Sequence, residues 1–287
     1  MSSAPVEAAI QESKLAPEIR FAFGKNWQRF LRVLNDDRIA EAEKSLRSML
    51  QMDDLRGKSF VDIGSGSGLF SLAAMRLGAA RVHSFDYDPH SVACAQELKR
   101  RYFDESGNWS IEQGSVLDQA YLARLGQFDV VYSWGVLHHT GNMWKALENV
   151  ILPVAARGKL FIALYNDQGV YSRLWTGVKQ RYSRRLVWRV PITAFFGSYF
   201  AVRGLIADIV LFHRNPLNRY RHYKQARGMS YFTDLLDWLG GYPFEVAKPE
   251  DIIDFFLGQG FDLVKLKTVG GGLGNNEFVF TRSAEYK

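Results

Sequence analysis

The chain has 287 residues, with 36 basic and 30 acidic side chains, 47% hydrophobic residues and 14% aromatic residues. This composition is enough for one full domain with a large insertion, and it excludes a disordered or fibrous chain. The longest stretch without a charged residue, 130–144, has 15 residues, fewer than the roughly 20 of a spanning helix, so we expect no transmembrane helix. The first residues lack the layout of a secretory signal and Cys94 is the single cysteine, which predicts a cytoplasmic protein.

In chain order, residues 1–17 are polar and small, and we interpret them as a flexible tail. Apolar residues then recur at helical spacing and predict an N-terminal helical cap over 18–54, with a break near 35–37. Over 55–170, short apolar runs alternate with helical segments. This rhythm predicts an α/β fold, a doubly wound and mostly parallel sheet with helices on both faces.

The rhythm stops after Tyr165, and residues 171–230 are rich in arginine and aromatic side chains. We predict that this segment is a helical insertion after the fifth strand. Residues 231–287 return to the core. They predict two helices and then a strand hairpin around a glycine-rich turn, over 261–282.

A glycine-rich turn follows the first predicted strand in the sequence VDIGSGSGL, residues 61–69. Glycines permit positive φ and leave no Cβ between the backbone and a ligand. The turn lacks the Lys-Ser/Thr pair of a phosphate-binding loop and the glycine spacing of dinucleotide sites. Asp62, just before the turn, suits the ammonium end of an amino-acid-containing ligand.

Asp86 ends the second predicted strand, 20 residues after Gly66. A carboxylate at that place can accept hydrogen bonds from both hydroxyls of a ribose. Asp88 is instead predicted to cap the next helix, with Pro89 at its first position. Ser115 and Val116 follow the third strand and are candidates to line an adenine ring.

Four segments in order, VDIGSGSG, FDYDP, GSVLD and FDVVYSWGVLHHT, resemble the class I S-adenosylmethionine-dependent methyltransferases, of the small-molecule type with an LHHT motif. The resemblance covers residues 55–165, and the final hairpin resembles the family's antiparallel last strand. It implies a seven-stranded Rossmann-like sheet that binds S-adenosylmethionine and releases S-adenosylhomocysteine. The implied cofactor contacts are Asp62, Gly64, Ser65, Gly66, Gly68, Asp86, Tyr87, Ser115, Val116, Ser133 and Trp134.

The fourth strand ends in His138 and His139, either of which has a suitable pKa for removing a proton from an acceptor. Adjacent side chains diverge, so one histidine is expected to act as the base and the other to pack. Similar methyltransferases often carry His at the second position whatever they methylate, so we favour His138. The alternative is that both histidines pack and alignment alone drives the reaction. We predict no metal site, because nearby acids do not cluster and adjacent histidines lack ligand spacing.

The resemblance narrows the reaction further. The fourth strand ends in Ser-Trp-Gly-Val rather than the Asn/Asp-Pro-Pro-Tyr/Phe of enzymes that methylate amino groups. No Pro-Cys pair exists, and Cys94 lies on the helix after the second strand, which excludes a cysteine adduct. We therefore predict O-methylation of a small-molecule, lipid, glycan or secondary-metabolite hydroxyl. Tyr165, Asn166 and Trp27 are candidate acceptor-side or ligand contacts.

Residues 171–227 contain ten Arg and two Lys but one acidic residue, Asp208, so the rest of the chain is acidic. A basic aromatic segment admits three interpretations: a lid over an acidic or amphipathic small molecule, a surface peripheral to an anionic membrane over 172–227, or RNA binding. An RNA methyltransferase and a non-catalytic cofactor-binding protein therefore remain alternatives. The oligomeric state is not predicted.

Overall fold

The computed structural model describes residues 27, 30, 31, 34–104, 107–211, 215, 235, 239–270 and 274–284. Its seven-stranded sheet has the order β3-β2-β1-β4-β5-β7-β6. The strands are β1 (Ser59–Ile63), β2 (Arg81–Asp86), β3 (Trp109–Gln113), β4 (Phe128–Trp134), β5 (Val154–Tyr165), β6 (Phe261–Lys267) and β7 (Asn275–Arg282). The first five pair in parallel, and β7 is antiparallel to both β5 and β6. The predicted fold class and final hairpin are confirmed.

Helices flank the sheet in the predicted alternation. The bounds are α1 (Asp36–Leu50), α2 (Leu69–Arg76), α3 (Pro89–Tyr102), α4 (Gln119–Arg124), α5 (Met143–Asn149), α6 (Val170–Arg184), α7 (Leu186–Ile206) and α8 (Pro249–Gly258). Side chains that accept a backbone N–H mark three helix starts, at Asn35, Asp88 and Asp118. The cap at Asp88 is the one predicted.

Both faces of the sheet are buried, which accounts for the nearly continuous apolar runs of its central strands. Consecutive residues of β4 belong to the cores on opposite faces of the sheet. Val131 lies in the same hydrophobic cluster as Ile63 on one face, and Val130 lies in the same cluster as Phe60 on the other. The chain leaves β1 for β2 on one side and returns to β4 on the other. The crevice at the carboxyl ends of β1 and β4 is therefore the place where such a fold binds ligands.

The α6–α7 hairpin follows β5 and lies over a small cluster of its own, which includes Tyr182 and Leu235. The predicted helical insertion is present here, while the exact domain boundaries stay predictions. The predicted tail over 1–17 lies outside the described residues, as does most of the helix expected over 231–239.

One segment, Leu186–Val210, is long and apolar enough to cross a membrane by length and composition alone. That criterion does not test the expectation of no transmembrane helix, which stays a prediction. The expectation was based on the length of stretches without charged residues. A few charged residues interrupt Leu186–Val210, although the mean hydropathy of this segment is high.

Candidate functional site

The glycine turn between β1 and α2 contains three positions whose backbone conformation favours glycine. Gly64, Gly66 and Gly68 have φ of 73°, 54° and 80°. A Cβ at position 64 would overlap the side chain of Val136, and one at position 66 would lie 2.9 Å from the Trp27 ring. The backbone of the turn therefore packs directly against the side chains of Val136 and Trp27.

Asp86 is held beside this turn by two backbone hydrogen bonds. One carboxylate oxygen accepts the N–H of Gly66 at 2.9 Å, and the other accepts the N–H of Asp88 at 2.8 Å. Burial nevertheless raises the pKa of Asp86 to about 6. Each oxygen keeps acceptor capacity for a further donor, so the carboxylate is fixed in position to receive hydroxyl groups.

A cavity of about 300 Å³ opens at the carboxyl ends of the central strands, above the glycine turn and Asp86. Most of the predicted site residues line it, so residues far apart in sequence meet in one place. Those residues are Trp27, Gly64, Gly66, Asp86, Tyr87, Ser115, Val116, Trp134, His138, His139 and Tyr165.

Two of the predicted cofactor residues, Asp62 and Ser65, are buried and do not line the cavity wall. Asp62 is buried and accepts a hydrogen bond from the Ser71 hydroxyl at 2.5 Å, and its burial raises its pKa to about 7. Ser65 is buried as well, and its hydroxyl has no hydrogen-bond partner among the described residues. Asp62 therefore anchors the turn to α2 instead of facing the ligand.

Three more predicted contacts also lie outside the wall, because packing occupies them. Gly68 immediately precedes α2 and lies against Ala95. The Ser133 hydroxyl donates to the carbonyl of Ile63 at 3.1 Å. The Asn166 amide donates to the Gly270 carbonyl and accepts from Asn276, tying β5 to the glycine-rich turn and β7.

The two histidines occupy a short 3-10 turn, Leu137–His139, immediately after β4. His138 is fully buried, and neither ring nitrogen meets a hydrogen-bond partner among the residues that the structure describes. Burial, followed by the nearby His139 and Lys179, holds the pKa of His138 well below its usual value. His138 is therefore a neutral imidazole at physiological pH.

His139 is held by a hydrogen bond to the segment after the insertion. Its Nδ1 lies 2.6 Å from the Pro243 carbonyl oxygen, which can only accept, so Nδ1 carries the proton. Burial lowers the pKa of His139 to about 4. The ring centroids of His138 and His139 are 4.4 Å apart, and His138 lies 4.1 Å from the Tyr165 ring.

Sequence reasoning missed the segment that closes the site after the insertion. The N–H of Glu245 donates to the His138 carbonyl at 3.0 Å, and the N–H of Ala247 donates to the Tyr165 carbonyl at 3.2 Å. Tyr242 of the same segment lines the cavity, as does Asn275 on β7. The Gly240-Gly241-Tyr242-Pro243 run was interpreted only as a helix break, and no local signal distinguishes a break from a site wall.

Lys179 of α6 was also missed. It is fully buried, with its ammonium 4.8 Å from the Phe244 ring centroid and 6.0 Å from the Tyr165 ring centroid. Burial lowers its pKa to about 7. Lys179 therefore places a cationic group behind the histidine side of the cavity.

Comparison with known proteins agrees with this arrangement. Residues 61–160 match the family model of the methyltransferase domain. Residues 61–160 therefore form a methyltransferase domain of the class I type. S-adenosylmethionine is the cofactor of that family.

The curated relatives of this methyltransferase match it over a short stretch. Ribosomal protein L11 methyltransferase of Tolumonas auensis is 44% identical over 48 residues, which are 17% of this chain and 16% of that protein. The same enzyme of Alteromonas mediterranea is 48% identical over 48 residues. The match therefore spans about a sixth of the length of these relatives.

Solved structures share the fold over most of the chain. Magnesium protoporphyrin IX methyltransferase of Synechocystis, solved with S-adenosylhomocysteine bound, has a TM-score of 0.50 and 15% identity, covering 90% of this chain and 95% of that one. An O-methyltransferase family protein of Burkholderia thailandensis has a TM-score of 0.53 and 12% identity, covering 87% and 58%. At these identities the likeness establishes the fold.

The residues of this methyltransferase fit the cofactor of its family. Gly64 and Gly66 line the cavity, so a ligand there can meet the backbone of the turn, and Asp86 offers acceptors for ribose hydroxyls. Val116 and Leu117 give one wall an apolar surface for a flat base. In the described part of the chain, no three His, Cys, Asp or Glu side chains cluster in a way that would hold a metal ion.

Proposed function

We propose that this methyltransferase transfers a methyl group from S-adenosylmethionine to a hydroxyl oxygen of a small or amphipathic molecule. One observation carries the choice of oxygen: His138, a neutral and buried histidine whose nitrogens have no hydrogen-bond partner in the described part of the chain, lies in the cavity wall together with Gly64, Gly66 and Asp86. The bound cofactor supplies an electrophilic methyl group. The chain's own residues must orient the acceptor and take its proton.

His138 is suited to receive that proton. Leaving a buried polar group without a partner costs about 1–3 kcal/mol, and such groups are rare outside functional sites. The depressed pKa keeps the ring unprotonated, so it is ready to accept a hydrogen bond from a hydroxyl. A hydroxyl needs this help because its own proton is weakly acidic.

Neighbouring groups position His138 rather than touch the reacting atoms. The backbone N–H of Glu245 holds the His138 carbonyl, and the Pro243 carbonyl fixes the tautomer of His139 beside it. The Tyr165 ring lies against both histidines. The imidazole is therefore held by packing and backbone contacts while its nitrogens have no partner among the described residues.

The acceptor side favours an acidic or amphipathic molecule. Tyr165 and Tyr242 give the wall an aromatic character, and Lys179 adds a cation behind it. A partly anionic acceptor raises the occupancy of protonated Lys179, whose pKa of about 7 lies near physiological pH.

A cysteine-adduct reaction is not supported by this site. Cys94 is buried on α3, and burial raises the pKa of its thiol to about 11, so the thiol is protonated at neutral pH.

The test measures methyl transfer from isotope-labelled S-adenosylmethionine to fractionated cell extracts, with His138→Gln and His138→Ala beside the wild type. We expect both variants to bind the cofactor normally and to lose turnover by about 10² to 10⁴-fold. His90→Gln, an exposed histidine on α3, is the matched control and keeps full turnover.

Unchanged turnover in both His138 variants would show that alignment alone drives the reaction. Methyl transfer to RNA fractions alone favours the RNA methyltransferase alternative. Cofactor binding without transfer to any fraction favours the non-catalytic binding protein.

A further inference from the structure

The α6–α7 hairpin exposes an unusual amount of apolar surface. Of the 21 large hydrophobic side chains that are exposed among the described residues, 14 lie between positions 170 and 210. No residue of α7 is buried. We use "hairpin face" for the outward side of α7 and of the helical turn Ala207–Leu211 that continues it, represented by Val190, Phe195, Val202, Ile206 and Ile209, which are 52–76% exposed.

The opposite side of α7 is already used for packing. Ile192, Phe196 and Phe200 lie against the small cluster around Tyr182, and the rings of Phe196 and Trp175 are 4.7 Å apart. The helix is thus apolar on both sides but needs only one for the fold. An apolar surface of this extent on a protein exterior marks an interaction site.

The charges around the hairpin face have one sign. The exposed charged residues of α6 and α7 are arginines at positions 173, 181, 184, 185, 189 and 203. The sole acid between 170 and 211, Asp208, is buried. Apolar side chains flanked by exposed arginines complement a surface that is apolar inside and anionic outside.

We propose that the hairpin face docks this protein on an anionic lipid bilayer, with α7 lying along the membrane surface. The apolar side chains enter the boundary between headgroups and acyl chains, and the arginines pair with lipid phosphates. Trp188, which is 46% exposed at the start of α7, has the amphipathic ring that favours this boundary.

The packing of the inner side of α7 favours a helix that lies on the membrane surface over a helix that spans the bilayer. A spanning α7 would have to leave α6 and carry Arg189 and Arg203 into the hydrocarbon, which is costly for charged side chains. An α7 that lies on the surface keeps its contacts with α6 and its arginines near the phosphates.

The same hairpin borders the candidate active site. Gln180 of α6 donates to the Tyr242 hydroxyl at 3.4 Å, and Ser183 donates to the Gly240 carbonyl at 3.1 Å. These hydrogen bonds connect α6 to the segment that lines the acceptor side of the cavity, so docking of the hairpin holds the cavity close to the bilayer. Docking itself does not depend on the proposed methyl transfer.

Vesicle co-sedimentation of the purified full chain tests the docking. The probes are vesicles of phosphatidylcholine alone and vesicles in which about a third of the lipid is phosphatidylserine. We expect the protein to sediment with the anionic vesicles and to remain in solution with the neutral ones, whether or not S-adenosylmethionine binds.

Two triple variants separate the apolar and electrostatic parts. Phe195→Ser, Val202→Ser and Ile206→Ser together weaken partitioning by at least about tenfold. Arg181→Gln, Arg184→Gln and Arg185→Gln together weaken it about a hundredfold. Lys44→Gln, Arg56→Gln and Arg100→Gln remove the same charge from exposed positions elsewhere, and this control keeps wild-type partitioning.

Three results would overturn the proposal. The first is equal partitioning of the wild type and the apolar variant. The second is salt-sensitive binding to single-stranded RNA, lost in the arginine variant, without any vesicle binding. The third is a stable dimer in light scattering that the apolar variant converts to monomer, since the hairpin face would then cover a second copy of the chain. Circular dichroism and thermal melting of each variant confirm that it is folded.

Discussion

Gly64 illustrates how one residue type decides the shape of the cavity floor. Its φ of 73° is nearly the same as the 74° of Gly126, but a Cβ at 64 overlaps Val136 while a Cβ at 126 meets nothing within 4 Å. Both Gly→Ala changes incur the strain of a left-handed backbone, about 1–2 kcal/mol. We expect Gly64→Ala to lower the free energy of unfolding by a further 1–3 kcal/mol or so, measured by urea titration. Equal losses in the two variants would show that Val136 moves aside freely.

The charge state of Asp86 predicts how cofactor affinity depends on pH. Its pKa is raised to about 6, so the carboxylate that we expect to accept ribose hydroxyls is lost as pH falls through 6. The affinity for S-adenosylhomocysteine is therefore expected to fall by up to about tenfold per pH unit below that value. Calorimetry between about pH 5 and pH 8 measures this.

Asp62 titrates nearby, with a pKa of about 7, and must be separated from Asp86. Asp62→Asn removes its titration while keeping an acceptor for Ser71. The fall below pH 6 is expected to persist in this variant, and a pH-independent affinity in Asp62→Asn would assign the dependence to Asp62.

At the residue scale, the sequence predicted features whose constraints are local. Positive φ at Gly64 and Gly66, and an acid at the end of the next strand, are visible within a short stretch of chain. Lys179 and Tyr242 were not predictable, because only tertiary packing brings Lys179 behind the cavity wall and Tyr242 into it. Asp62 shows the reverse: its position next to the turn suggested a ligand contact, but its side chain reaches Ser71 on α2.

At the scale of elements, the segment 240–247 joins the insertion to the site. The Glu245 carboxylate accepts the backbone N–H of Met143 at 3.1 Å, at the start of α5. Glu245→Ala is expected to cost about 1 kcal/mol of unfolding free energy, as for the loss of a helix cap. Glu245→Gln keeps an acceptor oxygen and is expected to lose less in the same urea titration. A larger loss of unfolding free energy in Glu245→Gln than in Glu245→Ala would contradict the capping role.

The alternation of strands and helices was predictable because each run is long enough to show a period. The short helix α4, Gln119–Arg124, was missed because six residues give less than two turns of periodicity. The α6–α7 hairpin was predicted as helical from its composition. Its exposure was not, because a sequence pattern does not say which apolar face remains uncovered.

At the scale of the whole molecule, the uneven distribution of charge distinguishes two parts of the chain. The candidate cofactor site lies in the acidic remainder of the chain, and the basic hairpin contacts the segment 240–242 that borders the cavity. The chain therefore joins a methyltransferase core to an apolar surface that arginines flank. It also predicts that removing exposed arginines on α6 changes membrane partitioning without changing cofactor affinity, which calorimetry on the arginine variant checks.

The central claim is that the glycine turn and Asp86 form the cofactor site, and calorimetric titration tests it most directly. Purified protein is titrated with S-adenosylmethionine and S-adenosylhomocysteine, beside Asp86→Ala. We expect saturable one-to-one binding of both ligands by the wild type, and at least about a tenfold loss in the variant. Absence of binding by well-folded wild type, or undiminished binding by Asp86→Ala, would contradict the account.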